Sequence, residues 1–295
     1  MRLGCSIPTV VLCGFTALFQ SSEPTPAAPP QGPSATTSQV ARGEKQSQPA
    51  NELVRTIVAN ELKAADEDHS HWMYQLETMK AGTLETRRVV ETKDGDVTRV
   101  VSRNGKPLSA EEQKVEEERV DKFIHDPREQ QKQQKDARQD AHKTRELLAL
   151  LPDALTYSSA ESNGSTTKLK FEPNPDFQPP SREAHVFHEM AGELVLDTKQ
   201  QRLVEFTGHL IHPVDFGGGL LGHLEEGGTF DVRQQEVAPN IWEITLLTIN
   251  MKGRALFFKT ISVQQDEKRS EFQRVSDTLS LTEGEDLLRK QVAAE

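Results

Sequence analysis

The chain has 295 residues, 46 acidic against 35 basic side chains, a formal net charge of -11 and only two cysteines. An acidic chain without a basic stripe excludes electrostatic capture of nucleic acid or of an anionic membrane surface. Both cysteines, Cys5 and Cys13, lie in an apolar N-terminal stretch, so the rest of the chain can form no disulfide, thiolate nucleophile or cysteine metal site.

The stretch opens with Met1-Arg2 and runs apolar from Ile7 to Phe19 before turning polar. A cationic start followed by a short apolar run predicts a secretory signal peptide over 1–22, too short for a comfortable membrane span of roughly 20 apolar residues. Leu12 before Cys13, and the lack of an apolar run before Cys5, speak against a lipoprotein signal. Residues 23–49 are rich in Pro, Ser, Thr, Gln and Ala and predict a disordered tether, because nothing there can bury enough surface to offset ordering. One domain is expected over 50–295. The location implied is periplasmic or secreted, with an uncleaved N-terminus as a membrane tether the alternative.

Asn51 is placed to cap a helix in which Leu53, Val54, Ile57, Val58, Leu62 and Ala65 recur at helical spacing. Strands follow over 72–79, 83–92 and 97–103, with turns at Lys93-Asp94-Gly95-Asp96 and Asn104-Gly105. Two helices then interrupt. Ser109-Ala110-Glu111-Glu112 is a capping box, and Asp126-Pro127-Arg128-Glu129 a second start. Nearly every side chain from 109 to 146 is charged or Gln, which predicts a solvated, charged helical hairpin over 109–151. Sustained apolar heptads for a coiled-coil arm are missing.

Strand signals return at 155–159, 166–172, 184–190, 193–197, 202–211, 229–237, 241–251 and 255–264, with a further one at 271–275. Their connections are too short for crossover helices, so neighbouring strands are expected to be antiparallel. A last helix is predicted from Thr282 to Ala293. The fold class that follows is α+β: a large curved antiparallel sheet, unclosed and barrel-like, packed on a few helices with the charged hairpin inserted.

Gly217-Gly218-Gly219-Leu220-Leu221-Gly222 contains G-x-G-x-x-G but lacks the flanking strand and helix that dinucleotide binding requires. It reads instead as a loop in which Leu220 and Leu221 cover an apolar edge or a cavity mouth. His185-x-x-His188 and His209-x-x-His212 fall on predicted strands, where three-residue spacing puts the rings on opposite faces. No metal and no cofactor are expected. Asn163-Gly164-Ser165 fits a glycosylation pattern and equally a polar turn. There is no G-x-S-x-G, H-E-x-x-H or P-loop, and no enzyme activity is expected.

Apolar residues occupy both parities in 241–251, with Trp242, Ile244 and Leu246 on one and Ile241, Leu247, Ile249 and Met251 on the other. This predicts cover on both faces, by protein or by ligand. The run Asn250-Met251-Lys252-Gly253-Arg254-Ala255-Leu256-Phe257-Phe258-Lys259-Thr260 with Trp242, together with Gly192–Asp197 and Phe216–Gly222, resembles a family of uncharacterised exported bacterial proteins. In element order the chain is similar to the LolA/LolB-like periplasmic lipoprotein carriers, from which the charged hairpin departs. That resemblance implies an unclosed antiparallel barrel holding acyl chains in an apolar cavity. The expected function is binding of a lipid, lipoprotein or other apolar ligand, walled by Val204, Phe206, Trp242, Ile244, Leu246 and Phe257 and gated by Leu220 and Leu221. The alternative is a non-catalytic interaction module presenting the hairpin to an envelope protein.

Overall fold

A computed structural model describes residues 44–80, 82–216, 222–255 and 259–292. The predicted signal peptide, the tether up to residue 43, and Leu220, Leu221 and Phe257 lie outside them. Helix α1 (Glu44–Glu67) is followed by β1 (His71–Lys80), β2 (Thr83–Thr92), β3 (Gly95–Arg103) and the short β4 (Lys106–Pro107). Helices α2 (Ala110–Ile124) and α3 (Pro127–Ala154) precede β5 (Leu155–Asn163) and β6 (Thr166–Pro173), then a 3₁₀ helix at Glu183–Glu189. Strands β7 (Met190–Asp197), β8 (Arg202–Leu210), β9 (Val214–Phe216), β10 (Gly222–Leu224), β11 (Thr229–Ala238), β12 (Ile241–Ala255) and β13 (Lys259–Val275) follow, and α4 (Leu281–Val292) ends the fold.

The 13 strands form one unclosed antiparallel sheet in the order β4-β3-β2-β1-β13-β12-β11-β8-β7-β6-β5, with β10 on β12 and β9 on β10. This is the α+β architecture expected from the sequence. Its turns use the predicted chemistry: Asn104 and Gly105 both take positive φ, +49° and +71°, as the tightest right-twisted hairpin requires.

The register assigns the two faces. Leu247 lies opposite Glu267, which lies opposite Thr78, so Leu76, Tyr74 and Trp72 share the face of Leu247 while Met73 is on the other. On the Leu247 face, α1 and the C-terminal half of α3 lie antiparallel over the larger core. Ala50, Val54, Ile57 and Val58 of α1 and Leu147, Leu148 and Leu151 of α3 meet Phe171, Leu194, Phe206, Leu247 and Ile249 there. On the opposite face, α2 and α4 cover Met73, Val90 and Val97 with Val120, Leu281 and Leu288. Among the described residues, no helix is long and apolar enough to cross a membrane.

Three sequence expectations are corrected and one is qualified. Helix α1 starts at Glu44, with Pro49 inside it, and not at Asn51; the Asn51 side chain instead accepts from the Tyr157 backbone N–H at 3.1 Å. The segment 184–190 is mostly 3₁₀ helix. Buried Ala184 and Val186 flank exposed His185 and imitate strand alternation, but Phe187 is buried as well. The charged hairpin is solvated over most of 109–146, as expected, but it is not a free arm: α2 packs against β2 and β3 in the smaller core and α3 on α1, burying Glu116, Val120 and Thr144. Finally, the apolar parities of β12 are not two covered faces. Arg233 pairs with Leu246 and Gln234 with Ile244, so Thr245 is the extra residue of a β-bulge. The bulge shifts parity and turns Trp242 and Ile244 to the same side as Leu247, Ile249 and Met251.

Candidate functional site

A second bulge governs β8. Val195 pairs with Glu205 and Leu196 with Leu203, leaving Val204 unpaired in the ladder. Leu203 therefore joins Phe206 in the core, and Val204 is half-buried beside it. Phe206 is packed in an aromatic row, its ring centroid 5.3 Å from Phe171 and 4.9 Å from Phe230. Val204 and Ile244 meet Leu148, Leu203, Val232, Gln234 and Glu61 around an interstice of only about 10 Å³. Trp242 lies next to this group, in an adjoining groove. Leu246 is half-buried on the opposite face, as the Thr245 bulge dictates. Of the predicted wall, the fold thus gathers Val204, Phe206, Ile244 and Trp242 and separates Leu246 from them.

The residues missing from the sequence reading are polar. Glu61, 2% exposed, projects from α1 onto the sheet. It accepts from Arg202 through Nε at 3.0 Å and Nη2 at 2.9 Å, from the Leu203 backbone N–H at 2.7 Å and from Gln234 Nε2 at 2.8 Å. Gln234 Nε2 also donates to the Leu203 carbonyl. A signal for this was present, because Glu61 continues the buried stripe of Val54, Ile57 and Val58 at helical spacing. A carboxylate on an apolar stripe must find donors or stay protonated.

Beyond Arg202 the surface opens into a groove of about 380 Å³ lined by Asn60, Lys63, Glu67, Gln200, Arg202 and Trp242, among others. The Arg202 guanidinium lies 5.5 Å from the Trp242 ring centroid, and Trp242 Nε1 donates to Gln200 Oε1 at 3.1 Å. Asn60 Nδ2 donates to the Gln201 carbonyl at 2.9 Å, fixing α1 to the β7–β8 turn. Glu236, on the same rim, is held below the usual carboxylate range by the Asn240 backbone N–H and the Gln200 amide.

A second opening of about 500 Å³ shares Glu67, Asp68 and Ile241 with the first and continues past Trp72, Arg274 and Asp277. Arg274 lies 5.8 Å from the Trp72 ring and donates to Asp277 Oδ2 at 2.8 Å. That guanidinium, with His71 at 3.3 Å, brings the Asp277 carboxyl down to about 2.

The histidines do not converge. His185 and His209 are exposed, and His223 Nδ1 is 2.7 Å from Asp215 Oδ1 in the β9–β10 hairpin. Among the described residues, no group of three or more His, Cys, Asp and Glu is placed to hold a metal ion. The arrangement can bind: an open mixed-charge groove, a buried ionic cluster and an apolar interior follow one another within a few residues. No family model, curated protein or solved structure matches the chain.

Proposed function

We propose that this is a non-catalytic binding protein of the cell envelope that takes up an apolar chain beneath α1, between that helix and strands β8, β11 and β12. The observation that carries the reading is the position of Glu61, Arg202 and Gln234. They separate an open groove at Asn60 and Trp242 from an apolar interior at Val204, Leu203 and Ile244. The likeness in element order to LolA/LolB-like carriers points the same way.

In this reading α1 is the movable wall. Its contacts to the rest of the fold include polar ones that water can replace at the rim: Asn60 to Gln201, Arg55 to Asp153 at 2.6 Å, and Asp66 to Arg145 at 2.7 Å. Opening must also part the buried Glu61 cluster, which costs several kcal/mol. Each methylene transferred from water returns about 0.8 kcal/mol. A chain therefore needs roughly six or more methylenes before entering becomes favourable, which selects long acyl chains over short acids.

The test is native mass spectrometry of the full chain, followed by solvent extraction and titration with a fluorescent sixteen-carbon fatty acid. Co-purifying lipid, or saturable uptake that a four-carbon acid does not compete for, is the expected result. A bare mass with no uptake overturns the reading.

A further inference from the structure

We infer that the outer face of α3 docks the protein onto an anionic phospholipid surface, whether or not a chain is bound beneath α1. Between Pro127 and Lys143 the sequence mixes Arg128, Lys132, Lys135 and Arg138 with Glu129, Asp136 and Asp140, so no basic stripe is visible in it. At about 3.6 residues per turn the helix separates the two signs. Asp136 and Asp140 are half-buried on the flank that leads to Thr144 and Leu147, while all four cations are exposed on the outer side. Gln131, Gln139 and His142 fill the gaps between them, and Glu129 is the one exposed carboxylate of the segment. None of the four cations makes an ion pair or a side-chain hydrogen bond among the described residues. From Arg128 to His142 the stripe is about 21 Å long. It ends where His142 meets Glu146 at 3.3 Å.

The neighbouring helix does not cancel this charge. Each exposed carboxylate of α1 from Glu52 to Glu67 already has a cation beside it: Glu52 lies 4.0 Å from Arg55, Glu67 3.7 Å from Lys63 and Asp66 2.7 Å from Arg145. The formal charge of -11 belongs to the whole chain. Whatever lies beyond a Debye length of about 8 Å is largely screened from the stripe at physiological ionic strength.

The chemistry of the face selects its partner. A specific protein interface is anchored by buried aromatic or apolar side chains, and single-stranded nucleic acid stacks its bases on aromatic platforms. The exposed residues of this segment supply neither, and the large hydrophobic side chain exposed among the described residues is Val115, on α2. A fluid anionic bilayer needs no anchor. Its head groups move laterally to meet cations fixed on a helix, and a cluster of four Lys and Arg is of the size such a surface attracts. Each cation held near it strengthens binding about fivefold, so four provide several hundredfold. Glu129 takes back about one such factor, leaving roughly a hundredfold preference over a neutral surface.

The experiment is sedimentation of the full chain with vesicles. Vesicles of phosphatidylcholine with about one third phosphatidylglycerol are compared with pure phosphatidylcholine, which measures any contribution of the apolar N-terminal stretch. At low salt the anionic vesicles are expected to bind at least about thirtyfold more tightly, and high salt should remove the preference. Lys132→Gln with Lys135→Gln should weaken binding to the anionic vesicles by about 25-fold. Lys170→Gln with Lys252→Gln changes the net charge equally, at exposed positions on the solvent face of the sheet, and should weaken it by less than about twofold. Equal loss in the two double variants would overturn the inference by making overall charge the cause. Equal binding to both kinds of vesicle, or binding to neither, would overturn it as well. Binding of duplex DNA or poly-glutamate that depends on Lys132 and Lys135, without binding to vesicles, would replace the bilayer by another polyanion.

Discussion

At Glu61 a carboxylate accepts four hydrogen bonds from Arg202, Leu203 and Gln234 with almost no access to water. Charges buried this deeply are stable only as a set, because removing one partner strands the other in a medium that solvates it poorly. Glu61→Gln keeps the shape of the side chain but leaves Arg202, 7% exposed, without its counter-charge. Urea unfolding should show a loss of about 3–5 kcal/mol for this variant. The paired change Glu61→Leu with Arg202→Leu should cost clearly less than either single change, and equal or greater loss would mean that the ion pair itself is not the reason. Asp277 behaves differently because it sits half-exposed beside Arg274. Its folded pKa of about 2 lies below the unfolded value of about 3.9. A depressed carboxyl stabilises the fold above the unfolded pKa and loses that contribution as pH falls through the folded one. Asp277→Asn should therefore flatten the stability profile between pH 4 and pH 2, and an unchanged acid limb would count against the pairing.

Among the elements, the helices do more than cover faces: two of them close the ends of the sheet. At the β3 edge, Glu116 Oε1 accepts the Val100 backbone N–H at 2.7 Å, and Arg119 Nη2 donates to the Thr98 carbonyl at 2.6 Å. These side chains occupy the places another strand would take and so blunt an edge open to self-pairing. Burial pushes the Glu116 carboxyl up, but Arg119 and the Val100 N–H outweigh it and hold it below its ordinary range. At the other end Asn51 of α1 does the same for Tyr157 of β5. Glu116→Ala with Arg119→Ala should expose the β3 edge and give concentration-dependent self-association, read by light scattering on a sizing column. A monomer at every concentration would show that the edge needs no cover. The capping box at Ser109 and the caps at Asp126 were legible because they depend on residues three or four positions apart. The role of Glu116 was not, since on α2 it looks like any other solvated acid until β3 is placed beside it. The two bulges were hidden for a related reason: alternation in one strand cannot show which residue its neighbour leaves unpaired. Strict alternation grouped Trp242, Ile244 and Leu246, and Val204 with Phe206, whereas the pairing partners put Leu246 on the opposite face and Leu203 beside Phe206. Deleting Thr245 should be tolerated, because it removes the extra residue and keeps Ile244 and Leu247 inward. Deleting Thr248, which sits in register opposite Asp231 and Asp266, should unfold the strand by reversing its parity. Circular dichroism of the two deletions separates these outcomes.

Across the whole molecule, one sheet carries two cores on opposite faces, and this division decides how the protein should unfold. The larger core under α1 and α3 is built on β5 to β12 and the smaller one under α2 and α4 on β1, β2, β3 and β13, so the two share neither strands nor buried residues. They are joined through β1 and β13, where Trp72, Tyr74 and Val89 form a third cluster with Phe272 and Ile241. Tyr74 stacks on Phe272 with centroids 5.3 Å apart, so strands next to each other in the sheet are fixed by side chains as well as by the ladder. Helix α3 adds a second link. Its first turns bond the β2–β3 turn through Gln133 and Gln134, and its last turns fill the larger core. A molecule tied together in both ways should melt as one unit. Leu288, fully buried in the smaller core, tests this because it touches neither tryptophan cluster nor α1. Leu288→Ala should cost about 2–5 kcal/mol through the cavity it leaves. The fluorescence of Trp72 and Trp242, on the other face of the sheet, should report the full loss in a single transition coincident with the far-ultraviolet signal. If the tryptophan transition stayed at its wild-type midpoint while helix content fell earlier, α2 and α4 would be a separable layer. The large sheet with α1 and α3 would then be the unit that folds.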